Sequence, residues 1–431
     1  MQAWLPDRLL AGSIATVMLL AGCATGSSPA PQTPVPVTPA APAAKPAGLV
    51  PVTVDVPEGL NQRPFDTARQ ALVPPGWTLS VWARLPTARL AVWAPDGRLL
   101  VSLPSTGQVM TVRPEQNTPL LEGLDQPHGL AFAGATLLVA ESDRITSYDY
   151  RDGTATNPRP IATGLPDARS PDLRGAYSHA LKSVTTGPDG AMYFSIGSTG
   201  NISAGDRTAE PPRATVMRVP PGGGPAEPFA TGVRNGTGLA TGPDGSIWTA
   251  INNRDNIADP ATGQVRPEYV AENPPEAVAR LTAGRELGWP YCHPVGGPSD
   301  APFIRDVQTN PDGQALDCAA LPPAEQTIGA HSAPLGMSFT DGALPAPYTS
   351  GALLGVHGSW NRQPPRAPEV SFLPWQNGSL GPAQTLLGGF QSADGSRWGR
   401  PVSAIVGPDG AVYVTDDYAG AVYRLAPPGL R

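Results

Sequence analysis

Imidazole is the side chain whose ordinary pKa, about 6.5, lets it accept or release a proton near neutral pH, so histidines are the first residues to weigh as chemical groups. The 431-residue chain has five: His128, His179, His293, His331 and His357. All but His293 follow or precede a recurring turn-and-strand pattern, which puts them at strand ends, where loops carry functional groups. Cys292 and Cys318 match no zinc spacing, and in an exported chain the expectation is a disulfide that leaves neither thiol free. The chain has no Cys-x-x-Cys-His for a covalent haem.

The elements that must position these groups are legible in the turns. With 49 Gly and 54 Pro the chain is not mainly helical, while 40% hydrophobic residues still suffice for a core. Pro95-Asp96-Gly97, Pro188-Asp189-Gly190, Pro243-Asp244-Gly245 and Pro408-Asp409-Gly410 each lead into an apolar β-like run. Weaker copies start at Gly134 and Ser350, which makes six. Most are preceded by another apolar run, so the unit is strand, turn, strand. Six such units without a domain boundary predict an all-β fold, a six-bladed β-propeller over 52–431. The longest gap, near 255–330, contains both late cysteines and reads as a loop insertion stapled by them. Propellers carry their sites at the mouth of the central channel, so a site drawn from several blades is expected.

Before the fold comes a targeting segment. Arg8 precedes an apolar stretch over 9–22, too short to span a bilayer but suited to a signal peptide at 1–22. It ends in Leu20-Ala21-Gly22-Cys23, which resembles a bacterial lipobox and predicts lipidation of Cys23. Ala24 rather than Asp favours the outer membrane, by resemblance to Gram-negative lipoproteins. Residues 23–51 then form a Pro- and Ala-rich tether, so the expected location is the periplasmic side of the outer membrane or the cell surface, with membrane contact through the lipid alone. Only 15% of residues are charged, the formal net charge is -7, and Lys45 and Lys182 are the only lysines, which argues against a nucleic-acid partner.

Several motifs then occur in a telling order: Gln126-Pro127-His128-Gly129, Ser178-His179-Ala180-Leu181-Lys182, Gly232-Val233-Arg234-Asn235, Asn252-Asn253-Arg254-Asp255, Leu287-Gly288-Trp289-Pro290, Ser332-Ala333-Pro334-Leu335, His357-Gly358-Ser359-Trp360-Asn361-Arg362 and Trp398-Gly399-Arg400-Pro401. In this set the chain resembles the quinoprotein sugar dehydrogenases, which use pyrroloquinoline quinone (PQQ), and is most similar to the sorbosone dehydrogenase branch. The resemblance implies oxidation of an aldose or sorbosone-like aldehyde, with electrons passed to a respiratory acceptor. It implies His179 as the general base and Arg234 as the cation at the quinone oxygen that gains charge. It further implies cofactor contacts from Asn235 and Arg400, and less directly from Gln126, His331, Asn361 and Arg362, while Lys182 would either neutralise a cofactor carboxylate or cap a strand end. Calcium would be held at Asn253, Arg254 and Asp255. Two positions depart from the pattern. Ser198 stands where the glucose dehydrogenases have an Asp that orients the base, and Asn253 where a Glu is usual. Trp289 and Trp360 are candidate stacking rings, with core packing the commoner fate. The alternatives are a calcium-dependent propeller lactonase and a non-catalytic envelope binding propeller.

Overall fold

The computed structural model describes residues 48–114 and 116–430. The expected signal peptide, Cys23 and most of the tether lie outside these residues. The tether's last residues are already folded, because Val50–Thr53 pairs antiparallel with Gln70–Val73.

Six sheets, antiparallel but for one short parallel strand, Arg285–Glu286, added to the third, surround a channel. Their innermost strands are Ala91–Trp93, Leu130–Ala133, Val184–Thr186, Ala240–Thr241, Pro334–Phe339 and Pro401–Val406, which define blades 1 to 6. The four Pro-Asp-Gly turns join the innermost strand of blades 1, 3, 4 and 6 to the second strand. Their glycines have φ of 77°, 82°, 80° and 81°, a left-handed conformation that a side chain disfavours. The weaker repeats at Gly134 and Ser350 also fall where the innermost strand passes to the second, by a tight turn in blade 2 and by a longer segment over 340–350 in blade 5. Blade 6 takes its outermost strand, Thr78–Arg84, from the beginning of the fold and pairs it with Ala421–Ala426. That exchange closes the ring and covers a sheet edge.

Neighbouring innermost strands meet with almost no side chain between them. A Cβ on Gly129 would lie 2.7 Å from Ser183 Cα in blade 3, and one on Gly336 would lie 2.9 Å from Ser403 Cα in blade 6. Between the blades run alternating buried rows such as Leu99, Val101 and Leu103 against Ala411 and Tyr413.

The long interval in blade 4 is more than a loop. It supplies that blade's third and fourth strands, Glu276–Leu281 and Ala324–Ile328, and a helix over Pro267–Glu272. The remainder folds around a small two-stranded sheet and the Cys292–Cys318 disulfide. Its buried Arg254–Asp306 ion pair, 2.6 Å long, ties it to the channel mouth. The disulfide closes a 26-residue interval, which corresponds to about 3.5 kcal/mol of denatured-state entropy. Cys292→Ser with Cys318→Ser is therefore expected to shift the urea unfolding midpoint downward, and an unchanged midpoint would show that packing alone holds the segment.

Candidate active site at the channel mouth

All six innermost strands begin on one face of the ring, and the segments that lead into them converge there. A cavity of about 180 Å³ opens among these segments, lined by His179, Arg234, Asn235, Asp255, Glu276 and Trp360, among others. A larger cavity, about 440 Å³, lies on the opposite face beside the blade 1 and blade 6 turns. Its carboxylates are already engaged, Asp96 by Tyr150 and Arg98 and Asp409 by Tyr413 and Arg424, and it brings no histidine to a reacting centre.

His179 and Arg234 occupy equivalent places, each nine residues ahead of the proline of its blade's Pro-Asp-Gly turn. His179 Nδ1 lies 3.0 Å from the Ser198 carbonyl oxygen and 2.9 Å from Ser198 Oγ. A carbonyl only accepts, so Nδ1 carries the proton and Nε2 keeps its lone pair. Ser198 Oγ donates in turn to Gly200 O at 2.7 Å, which leaves it oriented to accept from the imidazole. Serine at this position thus fixes the tautomer as a carboxylate would, without adding charge. Burial, reinforced by the Arg234 guanidinium, lowers His179 to about pKa 4. Gly197 makes the approach possible, since a Cβ there would stand 2.6 Å from His179 Cβ.

Arg234 is buried and organises the neighbouring loops. Its guanidinium donates to Asn253 O at 2.8 Å, Asn252 O at 3.2 Å and Asn201 Oδ1 at 3.1 Å. Asn235 O receives the Asn252 N–H at 2.9 Å, and Asn235 also lines the cavity. Across it, His331 Nδ1 is 3.2 Å from Asp255 Oδ1, while His331 Nε2 donates to Val270 O at 2.6 Å. Burial disfavours both charges, but the pairing wins: Asp255 is held below the usual carboxylate range and His331 is raised. Asn361 Nδ2 adds a contact to Asp255 at 3.3 Å.

Glu276 is a site residue that the motifs did not single out. It comes from the third strand of blade 4, and its Oε2 accepts the Asn253 N–H at 2.6 Å. An adjacent strand thus brings a carboxyl group to the backbone of position 253. Burial pushes Glu276 up to about 7.

A second cluster sits where blades 5, 6 and 1 meet. Arg400 Nη2 donates to His357 Nδ1 at 2.6 Å, His357 Nε2 donates to Asp417 at 2.8 Å, and Asp417 receives Arg89 at 2.7 Å. Arg89 and Arg397 were not anticipated, because neither belongs to the ordered motifs; Arg89 occupies the segment leading into blade 1. Its Nε is buried without a hydrogen-bond partner among the described residues.

Other expected contacts go elsewhere. Gln126 is exposed with φ of 47° and does not line the cavity. Lys182 is fully buried among backbone carbonyls. Arg362 pairs with Glu272 at 2.9 Å, outside the cavity. The Arg254 guanidinium turns away to Asp306 and Gln308, and Arg254 does not line the cavity. Trp289 packs in the core at 2% exposure, whereas Trp360 is 76% exposed beside the cavity, contrary to the commoner fate of such rings.

Glu276 yields a prediction with a definite sign. Its folded pKa, about 7, exceeds the ordinary 4.5, so the folded state binds the proton more tightly and stability falls as pH rises from 4.5 to 7. Glu276→Gln should remove roughly 3 kcal/mol of that dependence. Urea titrations at pH 4.5 and 7 measure it, and identical slopes for both proteins would refute the assignment.

Comparison with known proteins places this geometry. A PQQ-dependent pyranose dehydrogenase from Coprinopsis cinerea is 28% identical over 367 residues, covering 72% of this chain and 46% of that protein. The chain therefore spans about half the length of this curated relative. The holo PQQ domain of the Coprinopsis cinerea pyranose dehydrogenase superposes with a TM-score of 0.69 at 22% identity, over 87% of this chain and all of that one. A calcium structure of a Trichoderma reesei enzyme of family AA12 gives 0.66 at 18% identity, over 83% and 96% of the two chains. The PQQ-bound aldose sugar dehydrogenase of Streptomyces coelicolor gives 0.53 at 14% identity, over 82% and 100%. These similarities agree with the resemblance to quinoprotein sugar dehydrogenases and do not single out the sorbosone branch. The family described as TrAA12-like matches residues 71–427, and the chain belongs to it.

Proposed function

We propose that this protein is a PQQ-dependent dehydrogenase that oxidises a pyranose or related aldose. The observation that carries the reading is His179, neutral, locked in one tautomer, with its free Nε2 beside a buried guanidinium. The surrounding donors suit a planar tricarboxylate. Arg400 and Arg89 are linked through His357 and Asp417, Arg397 donates to the carbonyl of Ser359 on the cavity wall, Arg89 Nε has no hydrogen-bond partner among the described residues, and the exposed Trp360 ring offers a flat surface. When bound, PQQ supplies the two-electron acceptor for hydride.

The chain's own residues perform the rest. His179 Nε2 takes the proton from the sugar hydroxyl, so that the carbon bearing it can release hydride. Ser198 holds the ring through Nδ1 as the imidazolium forms. Arg234 fixes the Asn252–Asn253 loop and presents positive charge where negative charge develops. Asp255, paired with His331, offsets the imidazolium across the cavity.

Calcium belongs to the proposal at the same loop. Asn253 and Arg254 would contribute backbone carbonyls, because the Asn253 amide donates to Pro275 O at 2.7 Å and the Arg254 side chain faces Asp306. Asp255 is the nearby carboxylate. A lipid anchor at Cys23, a periplasmic location and a respiratory electron acceptor complete the reading. The lactonase alternative draws no support, since the similar proteins are a PQQ-dependent pyranose dehydrogenase and an aldose sugar dehydrogenase, not hydrolases.

Titration of the full chain with PQQ and calcium, followed by dye reduction on a panel of aldoses, tests the proposal; no PQQ binding at micromolar levels would refute it. His179→Ala should lower kcat by about 10²-fold or more with little change in PQQ affinity. Because the base works deprotonated, kcat/KM of the wild type should rise through about pH 4 and be level by pH 6. A limb centred near 6.5 instead would mean that another group is the base.

A further inference from the structure

We propose that Lys182 is a positioning residue for His179, its buried ammonium holding the chain segment that presents the imidazole to the cavity. The inference rests on the reading of His179 as the base. Lys182 has no solvent exposure and is the only lysine in the folded part. Its Nζ donates to Ser142 O, to Pro166 O at 2.8 Å and to Ala180 O at 3.0 Å. An ammonium has three donors, so these three carbonyls saturate it. They come from different places: the end of blade 2's second strand, the chain leaving blade 2, and the residue after His179. Each carbonyl lies outside a strand, and Nζ satisfies all three at one point.

A second path runs from the same ammonium to the imidazole. Nζ lies 5.4 Å from the Tyr177 ring centroid, and Tyr177 OH donates to Gly197 O at 2.8 Å. Gly197 is the residue on which His179 packs, and its neighbour Ser198 holds His179 Nδ1. Lys182 O also accepts the Gly129 N–H at 2.9 Å, which fixes the residue itself to blade 2. Burial lowers the ammonium to about pKa 7, while Asp167, Asp143 and Asp125 act in the opposite sense and favour the charge, and Arg169 ties these three carboxylates together at the surface. Burying an ammonium is costly, and an apolar side chain would fill the volume more cheaply. A cation is retained here because the segment carrying the base leaves carbonyls that need a common donor.

Amide hydrogen exchange and kinetics on the full chain test the assignment. In Lys182→Met, amides of residues 165–182 should exchange about tenfold faster while the other blades keep their protection. PQQ affinity should stay within about twofold and kcat should fall about tenfold, because the base is displaced and the cofactor groove is not. Lys182→Ala leaves a carbonyl-lined gap, in which added propylammonium should restore kcat; it should do nothing for His179→Ala. Should the Met variant not fold, Lys182→Ala is refolded with and without propylammonium, and a higher yield with the amine is the result expected if the ammonium holds the segment. Unchanged exchange over 165–182, equal refolding yields, or no rescue by propylammonium in a folded Ala variant overturns the proposal. If the wild type itself fails to bind PQQ, the functional reading fails, while the exchange result still decides whether the ammonium holds the segment.

Discussion

Close backbone contact between neighbouring innermost strands is the constraint on which the rest depends. At Gly129 and Gly336 the next blade's main chain lies where a Cβ would be, so the strands converge on the channel without side-chain spacers. All six of these strands begin at one rim, and whatever precedes each of them is delivered to that rim. The mouth is therefore built from short segments of different blades, His179 from blade 3, Arg234 from blade 4, His331 from blade 5 and Arg400 from blade 6. A rigid scaffold carrying loops at one end is how sheet proteins generally hold a site.

Electrostatics at the mouth follow from dryness. Burial keeps His179 neutral and raises Glu276, while the same burial strengthens the pairing of His331 with Asp255 and of His357 with Asp417. Ser198 is consistent with this balance. A carboxylate on Nδ1 would make the imidazole more basic, whereas serine and a carbonyl supply orientation alone, leaving Asp255 across the cavity as the charge that answers a protonated base. The two departures from the family pattern are thus of different kinds. Ser198 orients the imidazole without a charge; Asn253 has no carboxylate of its own, and its backbone N–H is met by Glu276 from the next strand.

Much of the scaffold is legible in local sequence. Pro-Asp-Gly turns demand a left-handed glycine followed by a strand, a purely local requirement, and the blades follow from their repetition. His179 and Arg234 are legible through the ordered motifs that carry the family resemblance, and in the fold each stands nine residues ahead of the proline of its blade's turn. Glu276 is not, because it reaches the mouth from a third strand after an excursion that holds a helix and no motif. Arg89 is not, because its partners Asp417, His357 and Arg400 lie more than 250 residues away in the chain and meet it only through ring closure.

The assignment of Lys182 shows the division most clearly. Its place three residues after His179 leaves a cofactor contact and a strand-end cap both open, and the side chain turns inward to three carbonyls that no linear pattern brings together. The sequence alone determined the fold class, the number of blades and the residues that begin them, since turn chemistry and strand patterning act over a few neighbouring residues. Only the tertiary structure decided which polar side chains face the cavity, which are spent on holding loops, and that Trp360 stays exposed while Trp289 is buried. Those outcomes depend on hydrogen-bond partners and desolvation supplied by distant blades, and distance along the chain carries no record of either.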